Sequence, residues 1–353
     1  MEKLLGIAWY AAVLFLVVST LLPIIRSDEW WIRWFDFPRL QLLTLGIVLI
    51  VLQLLWRPGI SGLHVVIFAA LIAAIGYQGY RIFPYTQLAA KQVKYAGKEG
   101  NGAVIRIVTA NVLMYNRTAQ KYLTILNDIN PDIILTTEAD QWWSEQLQVL
   151  DSSYPYHLKY PLDNTYGMIL HSKFPLLNPA VEFLVEPRVP SIHSDIRLPD
   201  GQVFRLIGLH PRPPGPNKDS TARDAELIIA AERSKKLNQP VLVLGDLNDV
   251  AWSHTTNLFQ KISSMLDPRL GRGMYNTFNA KYFFIRFPLD HIFHSSHFKY
   301  IDMRRLPAIG SDHFPFYAAL SLEAEKDSSP EEPAAPSPEE QEEADDMRKE
   351  PFE

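Results

Sequence analysis

Three long apolar stretches open the chain, at residues 4–25, 40–56 and 60–80. About 20 apolar residues cross a hydrocarbon core as a helix, so each is read as a membrane span. Residues 4–25 carry no charge and lack a small-residue cleavage site, which favours a span over a cleaved signal. Gln53, His64 and Gln78 interrupt the second and third stretches, where they can face a neighbouring helix. Arg57-Pro58-Gly59 breaks the chain between them. Residues 26–39 mix Trp30, Trp31, Trp34, Phe35 and Phe37 with charges, the composition of a headgroup-level segment. The first eighty residues therefore predict a three-helix transmembrane region.

Beyond it the pattern changes. Residues 81–102 end in GKEGNG and read as a flexible linker. From residue 103 short apolar runs recur at 104–108, 133–136, 166–170, 192–198, 203–209, 241–244, 289–293, 300–306 and 314–320. These predict strands. Pro199-Asp200-Gly201 marks a hairpin turn between two of them. Residues 122–130 and 221–236 predict helices. Strands outnumber helices and do not alternate with them, so the expected class is α+β, two packed sheets flanked by helices, at 103–322.

Polar residues recur where the strands stop: Asn111, Glu138, His210, Asp246 with Asn248, Asp290, and Asp312 with His313. One such end is ordinary turn chemistry; six, carrying eight residues of acid, amide or imidazole type, exceed what turns need. In PVLVLGDLNDVAW, residues 240–252, Asp246 and Asn248 sit two apart after a buried strand. Alternate side chains of an extended segment point the same way, which sets a carboxylate beside an amide. If the ends converge they form an acidic pocket with histidines at its edge. Such a pocket binds a divalent cation and, through it, a phosphate. His291, His294 and His297 recur every three residues, but in a strand that spacing alternates faces and does not make a zinc site. Trp252 either shapes the pocket or belongs to the core.

Charge is divided along the chain. Residues 323–353 hold thirteen acids against three bases, while the formal net charge of the whole is −5, so the body is mildly basic, as suits an anionic substrate. The tail, rich in Pro, Glu, Ala, Ser and Asp, is expected to be disordered. There is no cysteine, which excludes disulfides, thiolate metal sites and thiol nucleophiles and leaves oxygen and nitrogen ligands for a hard ion. Counting Arg26, Arg33, Arg39, Arg81, Lys91, Lys94 and Lys98 against Lys3 and Arg57 puts the C-terminal domain in the cytoplasm. Three acids in the first loop oppose that count, and the side of the membrane is left open.

The stretches TANVLMYN (109–116), TTEAD (136–140), YGMILHSKFP (166–175), GLHPRPP (208–214), GDLND (245–249), LDHIF (289–293) and GSDHFP (310–315) together resemble, in order and spacing, the endonuclease/exonuclease/phosphatase superfamily, the deoxyribonuclease-I-like hydrolases. The resemblance implies a four-layer α/β/β/α sandwich with its site on one rim. By that resemblance Glu138 is the principal metal ligand, with Asn111 beside it and Asp312 nearby. Asp246 activates the attacking water, and Asn248 holds a phosphate oxygen together with Asn111 and His210. His313 stabilises the phosphate, oriented by Asp290, and His210 completes the catalytic set. The implied ion is Mg²⁺, with Mn²⁺ as the alternative. The expected protein is a membrane-anchored phosphodiesterase of a bacterial inner membrane, held by three helices in lipid, acting on a lipid-like or nucleic-acid phosphate ester, with no protein partner evident. A membrane-proximal nuclease and a non-catalytic membrane scaffold are the rival readings.

Overall fold

The computed structural model describes residues 2–56, 61–97, 102–323 and 332–352. The break at Arg57-Pro58-Gly59 lies outside them. Three long helices come first: α1 (Glu2–Leu21), α3 (Arg39–Trp56) and α4 (Gly62–Ile82), with a short α2 (Trp30–Arg33) between the first two. Two helices, Lys3–Ile24 and Gly62–Tyr85, are long and apolar enough to cross a membrane. A third span results only if Trp30–Asp36 and Arg39–Leu55, bent by 68°, count as one. The helices pack through Trp9, Val13, Leu16, Leu42, Leu49 and Leu71, while most other apolar side chains on them stay exposed.

Eleven strands follow among the described residues: β1 (Ala103–Asn111), β2 (Ile133–Thr137), β3 (Tyr156–Tyr160), β4 (Met168–Ser172), β5 (Leu176–Glu182), β6 (Ser191–Arg197), β7 (Val203–Leu209), β8 (Val241–Asp246), β9 (Asp290–His294), β10 (Phe298–Arg305) and β11 (Phe316–Leu322). They form two mixed sheets, ordered β10-β11-β1-β2-β4-β3 and β5-β6-β7-β8-β9. Ile105, Leu135, Leu170, Phe204, Leu206, Leu242 and Ile292 fill the space between the sheets. Helices α5 (Ala119–Ile129) and α6 (Gln141–Gln146) cover the outer face of the first sheet through Tyr122, Leu126 and Trp143. On the second, α7 (Thr221–Lys236) and α8 (His254–Ser263) pack through Leu227, Ile228, Leu258 and Phe259. This is the expected four-layer sandwich. The strands that sequence patterning missed, β3 and β5, are two of the four edge strands, the two with no buried residue, where the apolar pattern is weakest.

Two expectations change. The linker is not a free tether over 85–97. Tyr300 N–H donates to Lys94 O, Ala96 N–H donates to Tyr300 O, and Val93 is buried, so the segment lines the edge of β10. Its residues lack a periodic pattern because one strand-like pairing and two isolated buried side chains, Tyr85 and Val93, hold it. Residues 98–101 lie outside the described residues. The acidic tail, expected to be disordered, carries a helix, α9 (Pro338–Lys349), with a Ser337/Glu340 capping box. Ala344 is buried against the α7–α8 face, and Glu340 and Glu343 pair with Lys261 and His254. A basic, apolar-patched partner surface thus orders a segment whose composition alone predicts no core. Residues 324–331 of that call lie outside the described residues.

Candidate active site

The two sheets present the same rim. Parallel β1 and β2 pair Asn111 with Thr137, which sets Glu138 one residue past the strand end beside Asn111. Parallel β7 and β8 pair Leu209 with Gly245, so His210 and Asp246 leave their strands together. Antiparallel β9 then places Asp290 directly across from Asp246. Gly245 makes the approach feasible: its φ is +138°, and a Cβ there would lie 2.0 Å from Leu209 O. Glu138 and Asn248 hold left-handed backbone at φ 58° and 51°, each at the turn that aims its side chain.

The side chains meet in a chain of contacts. Asn111 Nδ2 donates to Glu138 Oε1 at 2.8 Å and to Asp246 Oδ2 at 3.0 Å. Its Oδ1 accepts from Leu113 N–H, which fixes the amide. Asp246 Oδ2 lies 3.4 Å from His313 Nε2 and 3.8 Å from His210 Nε2. His313 Nδ1 donates to Asp290 Oδ2 at 2.8 Å. Asn248 N–H donates to Asp246 Oδ1, and its side-chain amide donates to Pro211 O at 2.9 Å. Asp312 stands at the edge, accepting from Ala280 N–H through its backbone and raising the charge affinity of His313. The structure therefore brings Asn111, Glu138, His210, Asp246, Asn248, Asp290 and His313 together, with Asp312 beside them.

Electrostatics follow from this packing. Burial works against a charge on His313, but Asp246 and Asp290 outweigh it and raise the imidazolium to about 10. One ligand atom from each of Asp246, Asp290 and His313 lies within 4.8 Å of the others, a spacing that a metal could use. A protonated imidazole offers no lone pair, however, and the trio is better suited to holding a proton. On the other flank, Glu138 is half-buried and its carboxylate meets that of Asp246 over a single amide. Asp290 Oδ1 is buried without a hydrogen-bond partner among the described residues. An oxygen-rich set of this kind, with no thiolate, fits a hard divalent cation.

Sequence reading missed the support behind the turn. Arg223 and Asp224, adjacent on α7, form a buried pair at 2.6 Å, and Arg223 also donates to Asn248 O. Burial alone would raise Asp224, but Arg223 and Arg33 hold it below the usual carboxylate range. Arg33 comes from α2 and reaches Asp224 Oδ2 at 2.8 Å. It is therefore locked in a buried ion pair, as Arg39 is with Asp36, and neither is a free loop charge for the topology count. Trp252 proves to be core: it is 2% exposed and its Nε1 donates to Asp36 O. His291 is buried, donating from Nε2 to Asp249 O and accepting from Arg269 at Nδ1, while His294 Nδ1 donates to Ser295 O. Nothing local in the sequence signals the Arg33–Asp224 and Trp252–Asp36 contacts, whose members lie 191 and 216 positions apart.

Three solved structures are similar in fold. D. rerio TDP2 complexed with a single-strand DNA product matches at 16% identity and a TM-score of 0.54, over 62% of this chain and 100% of that one. The human Nocturnin catalytic domain with bound sulfate matches at 18% and 0.51, over 62% and 94%. An endonuclease/exonuclease/phosphatase from Beutenbergia cavernae matches at 16% and 0.51, over 62% and 72%. No curated protein matches in sequence. Residues 108–313, more than half of the chain, match the sequence model of the Endonuclease/Exonuclease/phosphatase family, and they span every strand end from Asn111 to His313. With that match, and with those ends gathered on one rim of a four-layer sandwich, the chain belongs to the endonuclease/exonuclease/phosphatase family.

Proposed function

We propose that this chain is a membrane-anchored, divalent-metal-dependent phosphoesterase that hydrolyses a phosphodiester. The observation that carries the reading is the Asp246 carboxylate, which lies within 4 Å of Asn111, His210 and His313 at once. Glu138, with Asn111 beside it and Asp312 nearby, would hold the cation, taken to be Mg²⁺ with Mn²⁺ as the alternative. The ion supplies charge neutralisation on the phosphate oxygens. Asp246 orients the attacking water and takes its proton as the water oxygen bonds to phosphorus. The P–O ester bond breaks on the opposite side, and the departing oxygen takes a proton from solvent. His313, kept charged by Asp246 and Asp290, donates to a non-bridging oxygen where negative charge grows. Asn248 and His210 hold the phosphate in line. The helices α1, α3 and α4 anchor the chain in a membrane, and the acidic cluster and family membership support hydrolysis over a scaffold role.

The test is turnover of bis-p-nitrophenyl phosphate by the full chain in detergent, with and without Mg²⁺. Metal-dependent activity lost in Asp246→Ala supports the reading. Inactivity under both conditions, or an active Asp246→Ala variant, rejects it. D. rerio TDP2 was solved with a single-strand DNA product. That fold likeness makes nuclease activity the second reading, and plasmid nicking measures it.

A further inference from the structure

A cavity of about 350 Å³ lies between the loop after α1 and the catalytic domain, and it reaches Asn248 and His313. Trp30, Trp34 and Phe37 wall it on one side; Phe278, Tyr282 and Ile285 wall it on the other. The aromatic packing is continuous: Phe37 meets Phe287 edge-on at 5.5 Å, and the Phe278 ring lies 5.0 Å from that of His313. One wall thus comes from the segment that joins the apolar helices, and the other from the domain that carries the polar cluster.

The loop 281–287, KYFFIRF, extends this surface outward. Phe283 and Phe284 are 81% and 70% exposed, and Trp34 is 58% exposed. Contiguous exposed aromatics mark an interaction surface. The loop is pinned where an apolar helix begins, since Gln41 Nε2 in the first turn of α3 donates to Phe284 O at 2.8 Å. The loop tip, the aromatic wall and the helix end therefore share one level, the level of a bilayer surface if α1, α3 and α4 span it. Trp and Tyr favour that level.

We propose that this cavity receives the hydrocarbon chain of a membrane-resident phosphoester, with its phosphate delivered to Asn248 and His313. The inference rests on the phosphoesterase reading above and names its substrate class as lipid. A phosphate ester that is polar throughout gives no use to apolar walls that end on the catalytic histidine. A chain drawn from the bilayer does, and residues 281–287 form its entrance.

The test is a pair of chromogenic diesters that differ only in chain length, methyl p-nitrophenyl phosphate and octyl p-nitrophenyl phosphate, each below its micelle concentration. The full chain in detergent is used. Each methylene taken from water into an apolar site is worth about a fourfold gain, so kcat/KM is expected to rise at least about 100-fold from methyl to octyl. The octyl-to-methyl ratio is expected to fall at least about tenfold in Trp34→Asp and in Ile285→Asp. Turnover with equal kcat/KM for the two esters overturns the lipid inference and leaves the phosphoesterase reading standing. If neither ester is cleaved, the phosphoesterase reading fails, and calorimetric binding of octyl phosphate against methyl phosphate judges the cavity. Tighter binding of the octyl compound by about 100-fold supports the site; equal binding rejects it.

Discussion

His313 Nδ1 donates to Asp290 Oδ2 at 2.8 Å, while His313 Nε2 faces Asp246 Oδ2 at 3.4 Å. The imidazole is thus held between two buried carboxylates, one across the β8–β9 ladder from the other. Removing one carboxylate charge should lower the histidine's proton affinity and leave Nδ1 less firmly oriented. Asp290→Asn is expected to reduce kcat by about 10²-fold, the scale of losing an oriented donor. The alkaline limb of the kcat/KM profile, set in the parent by a group at about 10, should move to lower pH. A profile whose alkaline limb stays in place would show that Asp290 does not tune His313.

The ion pairs behind the turn predict an order of stabilities. Asp224 serves both Arg33 and Arg223, whereas Arg33 is one of two partners for Asp224. Asp224→Ala takes the nearest carboxylate from two buried guanidinium groups, leaving Arg33 with Asp28 at 3.9 Å and Arg223 with Asp249 at 3.6 Å, and is expected to cost about 3 kcal/mol. Arg33→Met leaves Asp224 paired with Arg223 and should cost clearly less. Chemical denaturation of the full chain in detergent gives both values, and an Arg33 variant at least as damaging as the Asp224 one contradicts this ordering.

Gly245 controls where Asp246 points. With φ at +138° and Leu209 O at 2.0 Å from a built Cβ, alanine cannot fit without moving the β7–β8 junction. Gly245→Ala is expected to lose about 1–3 kcal/mol of stability. Activity should drop by up to about 10²-fold, as for a catalytic group misplaced by an ångström. Full activity in a correctly folded Gly245→Ala protein would remove the strained turn from the account.

Glu226 on α7 predicts a pH dependence of stability. Burial, reinforced by Glu186, pushes its carboxyl up to about 8, and Oε1 has no hydrogen-bond partner among the described residues. The folded state holds this proton more tightly than the unfolded chain, whose glutamates titrate near 4.3. The resulting stability is complete below that value and is lost as pH rises through about 8. The slope is up to about 1.4 kcal/mol per pH unit for one proton. Glu226→Gln should flatten the curve, matching the parent near pH 4 and exceeding it at pH 9. Parallel unfolding curves across that range would show that Glu226 does not carry the effect.

Several elements were legible because a local pattern determines them. The helix at 221–236 has the bounds that its composition predicts, and the hairpin at Pro199-Asp200-Gly201 forms as its turn residues require. The core strands that lead to Asn111, Glu138 and Asp246 were readable because buried strands are continuous apolar runs, and the seven motifs lay on or next to strands. Edge strands β3 and β5, the ordered stretch at 85–97 and helix α9 were not readable, because each is stabilised by what it packs against.

By itself the sequence determined the apolar helices, the strand ends and the kinds of side chain that stand on them, since periodicity and turn chemistry act over a few residues. Only the tertiary structure decided that Arg33 is buried on Asp224, that Trp252 seats the loop after α1, and that aromatics from residues 30–37 and 278–287 close a cavity onto His313. Those relations join positions up to more than two hundred residues apart, and no local propensity specifies them: the burial and charge pairing that hold them exist only after both sheets have closed on the shared core.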